Sequence, residues 1–185
     1  MEQPAGNKIT GNPSSHPALS VKWMEDFPDI PLNRNEAYKL RVTSKGVEIE
    51  AITETGVYRA IQTLRQLTEK KGNGIAITGC EITDWPAFRI RGFMQDVGRT
   101  YISTDELKRE IAILARYKIN VFHWHLTENQ AWRLQSKVFP MLNDSVNTTR
   151  QPGKYYTLEE ARELAAFCKQ HHVLLIPEID MPGHL

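Results

Sequence analysis

The chain has 185 residues, of which 41% are hydrophobic and 24% are charged. These fractions are those of an ordinary globular protein, and they exclude a disordered or collagen-like chain. The 23 basic residues nearly balance the 22 acidic ones, with no run of like charge, so no nucleic-acid partner is expected. No apolar stretch reaches the roughly 20 residues that cross a bilayer, so no membrane partner is expected either.

The first residues and the cysteines say little about the compartment. Residues 1–10 carry neither the basic region nor the apolar region of a signal peptide. Cys80 and Cys168 are too few for a disulfide framework or a four-ligand zinc site. Both lie in apolar-patterned segments, which favours small buried side chains over a functional role.

Residues 1–84 predict a small α+β domain. We expect mostly loop over residues 6–17. The segments 38–43 and 47–52 both alternate between apolar and polar residues, and a short turn separates them. This pattern predicts a β-hairpin.

A helix is predicted after the hairpin. Thr53 or Thr55 is a suitable N-cap, and Gly72 is a suitable C-terminal stop. A short strand is expected over residues 75–78. One helix on a sheet completes the predicted domain. The apolar residues at helical spacing are Val57, Ala60, Ile61, Leu64 and Leu67.

Residues 85–185 have a different pattern, in which three apolar segments alternate with two helical ones. Ser103 or Thr104 is expected to cap the first helix, and Thr157 lies at the start of the second. Nearly continuous apolar strands separated by helices are typical of a parallel sheet covered by helices. The predicted strands are 88–97, 119–126 and 173–179.

All three strands end in polar residues, and the carboxyl ends of parallel strands are where α/β proteins form their sites. Arg99 follows the first strand, where it either pairs with a carboxylate such as Asp96 or holds the oxygen atoms of a ligand. His123 and His125 alternate on the second strand, so they point to one side. They are either hydrogen-bonded core residues or two ligands of a divalent metal.

A third group of candidates follows the second and third strands. Glu128, Asp180 and His184 are expected to converge above the sheet. There they form either a structural ion-pair network or an acid–base site in which carboxylates polarise an imidazole.

Four segments in this order resemble the opening of the catalytic domain of family 20 glycoside hydrolases, the β-N-acetylhexosaminidases. They are WPAFRIRGFMQDVGR, NVFHWHLTENQAWR, YYT..EAREL and VLLIPEIDMPGH. The preceding hairpin and helix resemble the small domain before the barrel in that family. The resemblance implies a partial α+β accessory domain over residues 1–84. Residues 85–185 would then be the first three strands of a TIM (β/α)8 barrel.

The resemblance implies roles for individual residues. Arg99 matches the arginine that binds sugar hydroxyls in the −1 subsite. Glu128 stands where the family usually has the first aspartate of its His-x-His-x-x-Asp-Asp-Gln run, and it would bond His184, which in turn contacts the general acid. Asp180 matches the aspartate that supports this network. Trp132 and Arg133 are expected to support packing and the loop.

The resemblance also implies a reaction. Family members remove terminal N-acetylglucosamine or N-acetylgalactosamine from glycans, and the acetamido oxygen of the substrate attacks the anomeric carbon with retention. No metal or organic cofactor is implied. The aspartate that orients the amide and the glutamate that acts as acid follow the fourth barrel strand, beyond Leu185. A barrel of this kind takes roughly 250 residues, so we expect an N-terminal fragment that is inactive alone.

Two other functions stay open from the residues. The chain is either a non-catalytic glycan-binding module that keeps Arg99, or a metal-dependent barrel hydrolase that uses His123 and His125. Open strand edges predict self-association. For a full-length parent we expect an extracytoplasmic compartment, although no signal peptide is visible in this chain.

Overall fold

A computed structural model describes residues 8–9, 18–181 and 183–184. The chain forms two compact units, one up to Arg89 and one from Ile90. No helix in the described part of the chain is both long and apolar enough to cross a membrane.

Among its described residues, the first unit contains seven strands, one α-helix, α1 (Glu54–Gln66), and a short 3-10 helix, Arg34–Glu36. A four-stranded sheet has the order β2-β4-β3-β7, in which β2 runs parallel to β4 and the other neighbours are antiparallel. A second sheet has the order β1-β6-β5. The strands are β1 (Lys8–Ile9), β2 (Ala18–Trp23), β3 (Tyr38–Thr43), β4 (Gly46–Ala51), β5 (Thr68–Lys71), β6 (Gly74–Thr78) and β7 (Cys80–Asp84).

The predicted hairpin is strands β3 and β4, and it forms the core of this unit. Leu40 and Ile49 face each other in the ladder and are fully buried beside Ala60 of α1. Thr53 caps α1 through a hydrogen bond that its Oγ1 accepts from the amide of Gly56. The expected small α+β arrangement is therefore present.

Two details of the first unit differ from the expectation. The helix ends at Gln66, not at Gly72, because residues 68–71 form β5 and pair with β6. Gly72 has a φ of 60° and lies in the turn of that hairpin. The glycine that was expected to end the helix therefore forms the hairpin turn instead. Strand β2 was not predicted, and Lys8–Ile9 is a strand within the segment expected to be loop. The other residues of the segment 6–17 lie outside the described residues.

The second unit contains a parallel sheet of the order β8-β9-β12, as the alternation of strands and helices predicted. Its helices are α2 (Thr104–Arg116) and α3 (Leu158–Gln170). Cys168 of α3 is buried, and burial raises the pKa of its thiol to about 11. The strands are β8 (Gly92–Asp96), β9 (Val121–His125), β10 (Thr127–Glu128), β11 (Ala131–Trp132) and β12 (Leu174–Glu178).

The middle strand of this sheet is well covered, whereas the outer strands are not. Phe122 of β9 is fully buried, but Met94 of β8 is 53% exposed and Leu174 of β12 is 61% exposed. No other strand in the described part of the chain pairs with the outer edge of β8 or of β12. The outer strands therefore leave apolar side chains exposed that this unit does not cover.

Helix α3 begins with a capping box, and the box predicts a measurable loss. Thr157 Oγ1 accepts the Glu160 amide at 3.1 Å, and Glu160 Oε2 accepts the Thr157 amide at 2.7 Å. Because Thr157→Ala removes the first of these acceptors, the free energy of unfolding should fall by about 1 kcal/mol. Urea denaturation followed by far-UV circular dichroism measures the loss. The exposed Thr100→Ala is the matched control and should change stability by less than about 0.5 kcal/mol.

Candidate active site

The parallel register places three ionisable residues side by side at the carboxyl end of the sheet. His125 on the middle strand pairs in register with Asp96 on one side and with Glu178 on the other. The residues that follow these strands therefore meet above the same edge.

Glu128 is the centre of the candidate site. It lies on β10, which pairs with β11 across a two-residue turn, and its side chain is only 3% exposed. Oε1 accepts a hydrogen bond from His184 Nδ1 at 2.5 Å and also contacts the Arg99 guanidinium, while Oε2 accepts the amide of Asn129 at 3.2 Å. The expected contact between Glu128 and His184 is thus present with glutamate in place of aspartate.

Arg99 bridges two carboxylates. Its guanidinium binds Asp96 Oδ2 at 2.5 Å and also contacts Glu128, and its amide donates to Asp96 Oδ1 at 3.0 Å. The side chain is nevertheless 51% exposed. The pairing with Asp96 that the sequence allowed is therefore present, and about half of the Arg99 side chain remains exposed.

Asp180 and His184 follow β12. The amide of Asp180 donates to Thr127 Oγ1 at 3.0 Å, and its carboxylate lies 3.9 Å from His184 Nε2. The His184 side chain is 48% exposed. The structure thus brings together all four predicted site residues: Arg99, Glu128, Asp180 and His184.

Glu178 and Asp96 also belong to this cluster; Asp96 is predicted from the sequence only as a possible partner of Arg99, and Glu178 is assigned no role there. Glu178 Oε2 lies 2.5 Å from His123 Nε2 and 2.8 Å from His125 Nδ1. The signal that would have found both carboxylates is the register, since each stands level with His125 on a neighbouring strand.

The neighbours of each group set its charge. Burial alone would raise the pKa of Glu128, but hydrogen bonds from His184 and the Asn129 amide, together with the charge of Arg99, hold it below its usual value. In the same way Arg99 lowers the pKa of Asp96, and His125 lowers that of Glu178, against the effect of burial. All three carboxylates are therefore ionised at neutral pH.

Arg133 holds the loops around the site. It is fully buried, and its guanidinium donates to the carbonyls of Val97 at 3.0 Å and Gly98 at 3.3 Å. It also donates to the carbonyls of Arg150 at 2.9 Å and Lys154 at 2.7 Å. The turn that carries Arg99 is thus fastened to the loop before α3, in line with the support role expected for Arg133.

Two groups of metal-ligand type lie in this cluster, and the side chains of both make hydrogen bonds or ion pairs within the protein. Ligand-type atoms of His125, Glu128 and His184 lie within 4.8 Å of one another. However, the Arg99 guanidinium contacts the same Glu128 oxygen and would repel a cation. The ligand-type atoms of a second group, His125, Glu178 and Asp180, lie equally close together. In this structure Glu178 Oε2 lies within hydrogen-bond distance of a ring nitrogen of both His123 and His125, so both imidazoles have a carboxylate as partner.

Ionisable side chains gathered at the carboxyl ends of parallel strands are typical of enzymes of the α/β class. The family model of the glycosyl hydrolase family 20 catalytic domain matches residues 88–185, and that of domain 2 of the same family matches residues 4–85. The chain therefore belongs to glycosyl hydrolase family 20, and the resemblance found in its motifs is confirmed.

Curated relatives carry matching names. The chain is 40% identical over 168 residues to a β-hexosaminidase of Porphyromonas gingivalis, which covers 84% of this chain and 21% of the relative. It is 35% identical over 172 residues to a β-N-acetylhexosaminidase of Cellulomonas fimi, and this match covers 91% of this chain and 34% of the relative. The chain thus spans between a fifth and about a third of the length of these relatives.

Solved structures agree with this placement. An exo-β-N-acetylglucosaminidase of Vibrio harveyi in complex with N-acetylglucosamine is 35% identical, with a TM-score of 0.78 over 90% of this chain and 28% of that one. A mutant β-hexosaminidase of Streptomyces plicatus in complex with the product N-acetylglucosamine is 33% identical, with a TM-score of 0.80 over 92% of this chain and 35% of that one.

A pair of glycine substitutions tests how tightly the site is packed. A Cβ at Gly98 would lie 2.9 Å from Glu128 Cβ and 3.0 Å from the backbone of Thr127. Gly98→Ala should therefore displace Glu128 and lower the free energy of unfolding by about 1–3 kcal/mol. Thermal denaturation measures the loss.

Gly92→Ala is the matched control for this prediction. A Cβ at Gly92 meets Val121 only at 3.7 Å, an ordinary contact, so this variant should stay within about 1 kcal/mol of the unchanged protein. Equal stability of the two variants would contradict the close approach of Gly98 to Glu128.

Proposed function

We propose that this chain supplies the sugar-binding part of a β-N-acetylhexosaminidase that removes terminal N-acetylglucosamine or N-acetylgalactosamine from glycans. The observation that carries the proposal is the single cluster formed by Arg99, Glu128, Asp180 and His184, in a chain of family 20. Exposed donors on Arg99 suit the hydroxyls of a sugar in the −1 subsite.

The roles within the cluster follow from its contacts. Glu128 holds Arg99 and His184 on one oxygen, so the sugar-binding arginine and the histidine that would touch the general acid share one anchor. Asp180 supports His184 from the other ring nitrogen. The reaction would be the substrate-assisted, retaining one, without a cofactor. The amide-orienting aspartate and the acid are assigned to none of the 185 residues.

The second unit would be the first three strands of a TIM barrel, preceded by the accessory domain. Strands β8, β9 and β12 lie in chain order in the parallel sheet, and a helix precedes β9 and another precedes β12, which is the repeating pattern of such a barrel. The boundary proposed at residues 84 and 85 falls within a few residues of the division at Arg89.

A chimera tests the proposed activity. Residues 1–185 are joined to the remaining catalytic-domain sequence of the Bacteroides fragilis β-N-acetylhexosaminidase, which is 33% identical with a TM-score of 0.79. The chimera should hydrolyse a chromogenic N-acetyl-β-glucosaminide. Arg99→Met should then lower kcat/KM about a hundredfold or more, because donors to the substrate are lost.

Two controls accompany the chimera. Arg162→Met removes an exposed arginine of α3 and should leave kcat/KM unchanged. The 185-residue chain alone and the Bacteroides fragilis remainder alone should be inactive. A folded chimera without hydrolysis, or with the same rate after Arg99→Met, would contradict the proposed function.

We also propose that the open edges of the parallel sheet pair with a second copy when the 185-residue chain is isolated. Exposed apolar strands with free edges recruit other strands, so light scattering should show a mass that rises with concentration. A charge on the edge strand, Leu174→Lys, should reduce the association. Val146→Lys, at a residue 81% exposed in a short 3-10 helix away from the sheet, is the control and should not reduce it. A strictly monomeric chain at high concentration would contradict this prediction.

A further inference from the structure

His123, His125 and Glu178 have no part in the function proposed above. The two histidines lie two residues apart on β9, and Glu178 lies on the neighbouring strand β12, in register with His125. His125 and Glu178 end their strands, directly beside the residues assigned to sugar binding, and His123 lies two residues earlier in the middle of β9.

One carboxylate oxygen holds both imidazoles. Glu178 Oε2 lies 2.5 Å from His123 Nε2 and 2.8 Å from His125 Nδ1. Because an ionised carboxylate only accepts hydrogen bonds, each of these ring nitrogens must carry a proton. For His125 this contact keeps a proton on Nδ1 and fixes the direction in which Nε2 points.

The second ring nitrogen of His125 faces a second carboxylate. Nε2 is buried, has no hydrogen-bond partner among the described residues, and lies 3.7 Å from Glu128 Oε1. If Nε2 carries no proton, its lone pair faces the negatively charged Glu128 oxygen and the two repel each other. If Nε2 is protonated, its N–H attracts that oxygen. Burial alone would lower the pKa of His125, but the hydrogen bond and the charge of Glu178 raise it, which favours the attractive state.

Other charged groups also face His125. The charges of Asp96 and Asp180 also raise its pKa, without the hydrogen bond that Glu178 makes. The ring of His184 lies edge-on to it at a centroid distance of 5.6 Å. In the described part of the chain, Glu178 is the carboxylate that hydrogen-bonds the His125 ring and thereby orients it.

We propose that Glu178 is a positioning residue of this site. Through the ring of His125 it holds the Glu128 carboxylate in the place from which that carboxylate binds Arg99 and His184. The consequence for sugar binding rests on the proposed function. The series of contacts from Glu178 through His125 and Glu128 to His184 does not depend on the proposed function, and it can be tested without any substrate.

Nitrogen-15 NMR of the histidine rings tests this series of contacts in the unchanged 185-residue protein. Long-range proton–nitrogen spectra report which ring nitrogen carries the proton. Neutral His125 should be the Nδ1–H tautomer, since Nδ1 donates to Glu178. A neutral His125 with a bare Nδ1 would overturn the proposal without any substitution.

Glu178→Gln then tests the coupling, and Glu163→Gln is the matched control. Glu163 lies on α3, where it pairs with Lys108 at 3.4 Å and is exposed. In Glu178→Gln the titration of His125 should move to lower pH, because the carboxylate that raises its pKa is gone. The Nδ1 resonance of His184 should also move, by more than any change in Glu163→Gln, because Glu128 is no longer held.

The His184 resonance separates positioning from a local role. If Glu178→Gln changes His123 and His125 but leaves His184 as in the control, Glu178 supports only its own strand and the proposal is overturned. His125→Gln is the second variant for the case in which Glu178→Gln unfolds, and it should move His184 in the same experiment. A change of the His125 and His184 signals on adding EDTA would assign Nε2 to a metal instead and would also overturn the proposal.

Discussion

The buried charge of Glu128 is the constraint on which the arrangement of the site depends. An isolated carboxylate in a protein interior is strongly unfavourable unless it is paired and hydrogen-bonded. Here the partners come from three places: Arg99 after β8, the Asn129 amide in the β10–β11 turn, and His184 after β12. Neutralising one charge therefore fixes three separate chain segments relative to one another.

The space for this carboxylate depends on residues that do not bind it. Gly98 approaches the Glu128 side chain so closely that a Cβ there would overlap it. Arg133 donates a hydrogen bond to the Gly98 carbonyl, and its guanidinium is hydrogen-bonded to backbone carbonyls. A glutamate at position 128 has one methylene more than the aspartate usual in the family, and the Cβ and Cγ of this side chain are among the atoms nearest Gly98.

The sequence predicted those parts of the structure that local chemistry decides. Apolar alternation identified β3 and β4, cap residues identified the starts of α2 and α3, and strand ends identified the four site residues. It did not predict that Gly72 turns a hairpin, because a glycine stop after a helix and one inside a hairpin look alike until the pairing strand is known. Glu178 received no role for a similar reason: its contact with His125 depends on the register between two strands 53 residues apart.

The balance of charge at the site decides which ligands it suits. The Arg99 guanidinium has five donors and is compensated by two carboxylates, yet about half of the side chain faces solvent. Glu178 and Asp180 add further negative charge nearby. An anionic ligand would gain little from an arginine whose charge is already neutralised, and the surrounding carboxylates would repel it. A neutral ligand rich in hydroxyl groups can accept hydrogen bonds from the exposed part of Arg99 without this repulsion, which supports the sugar substrate proposed above.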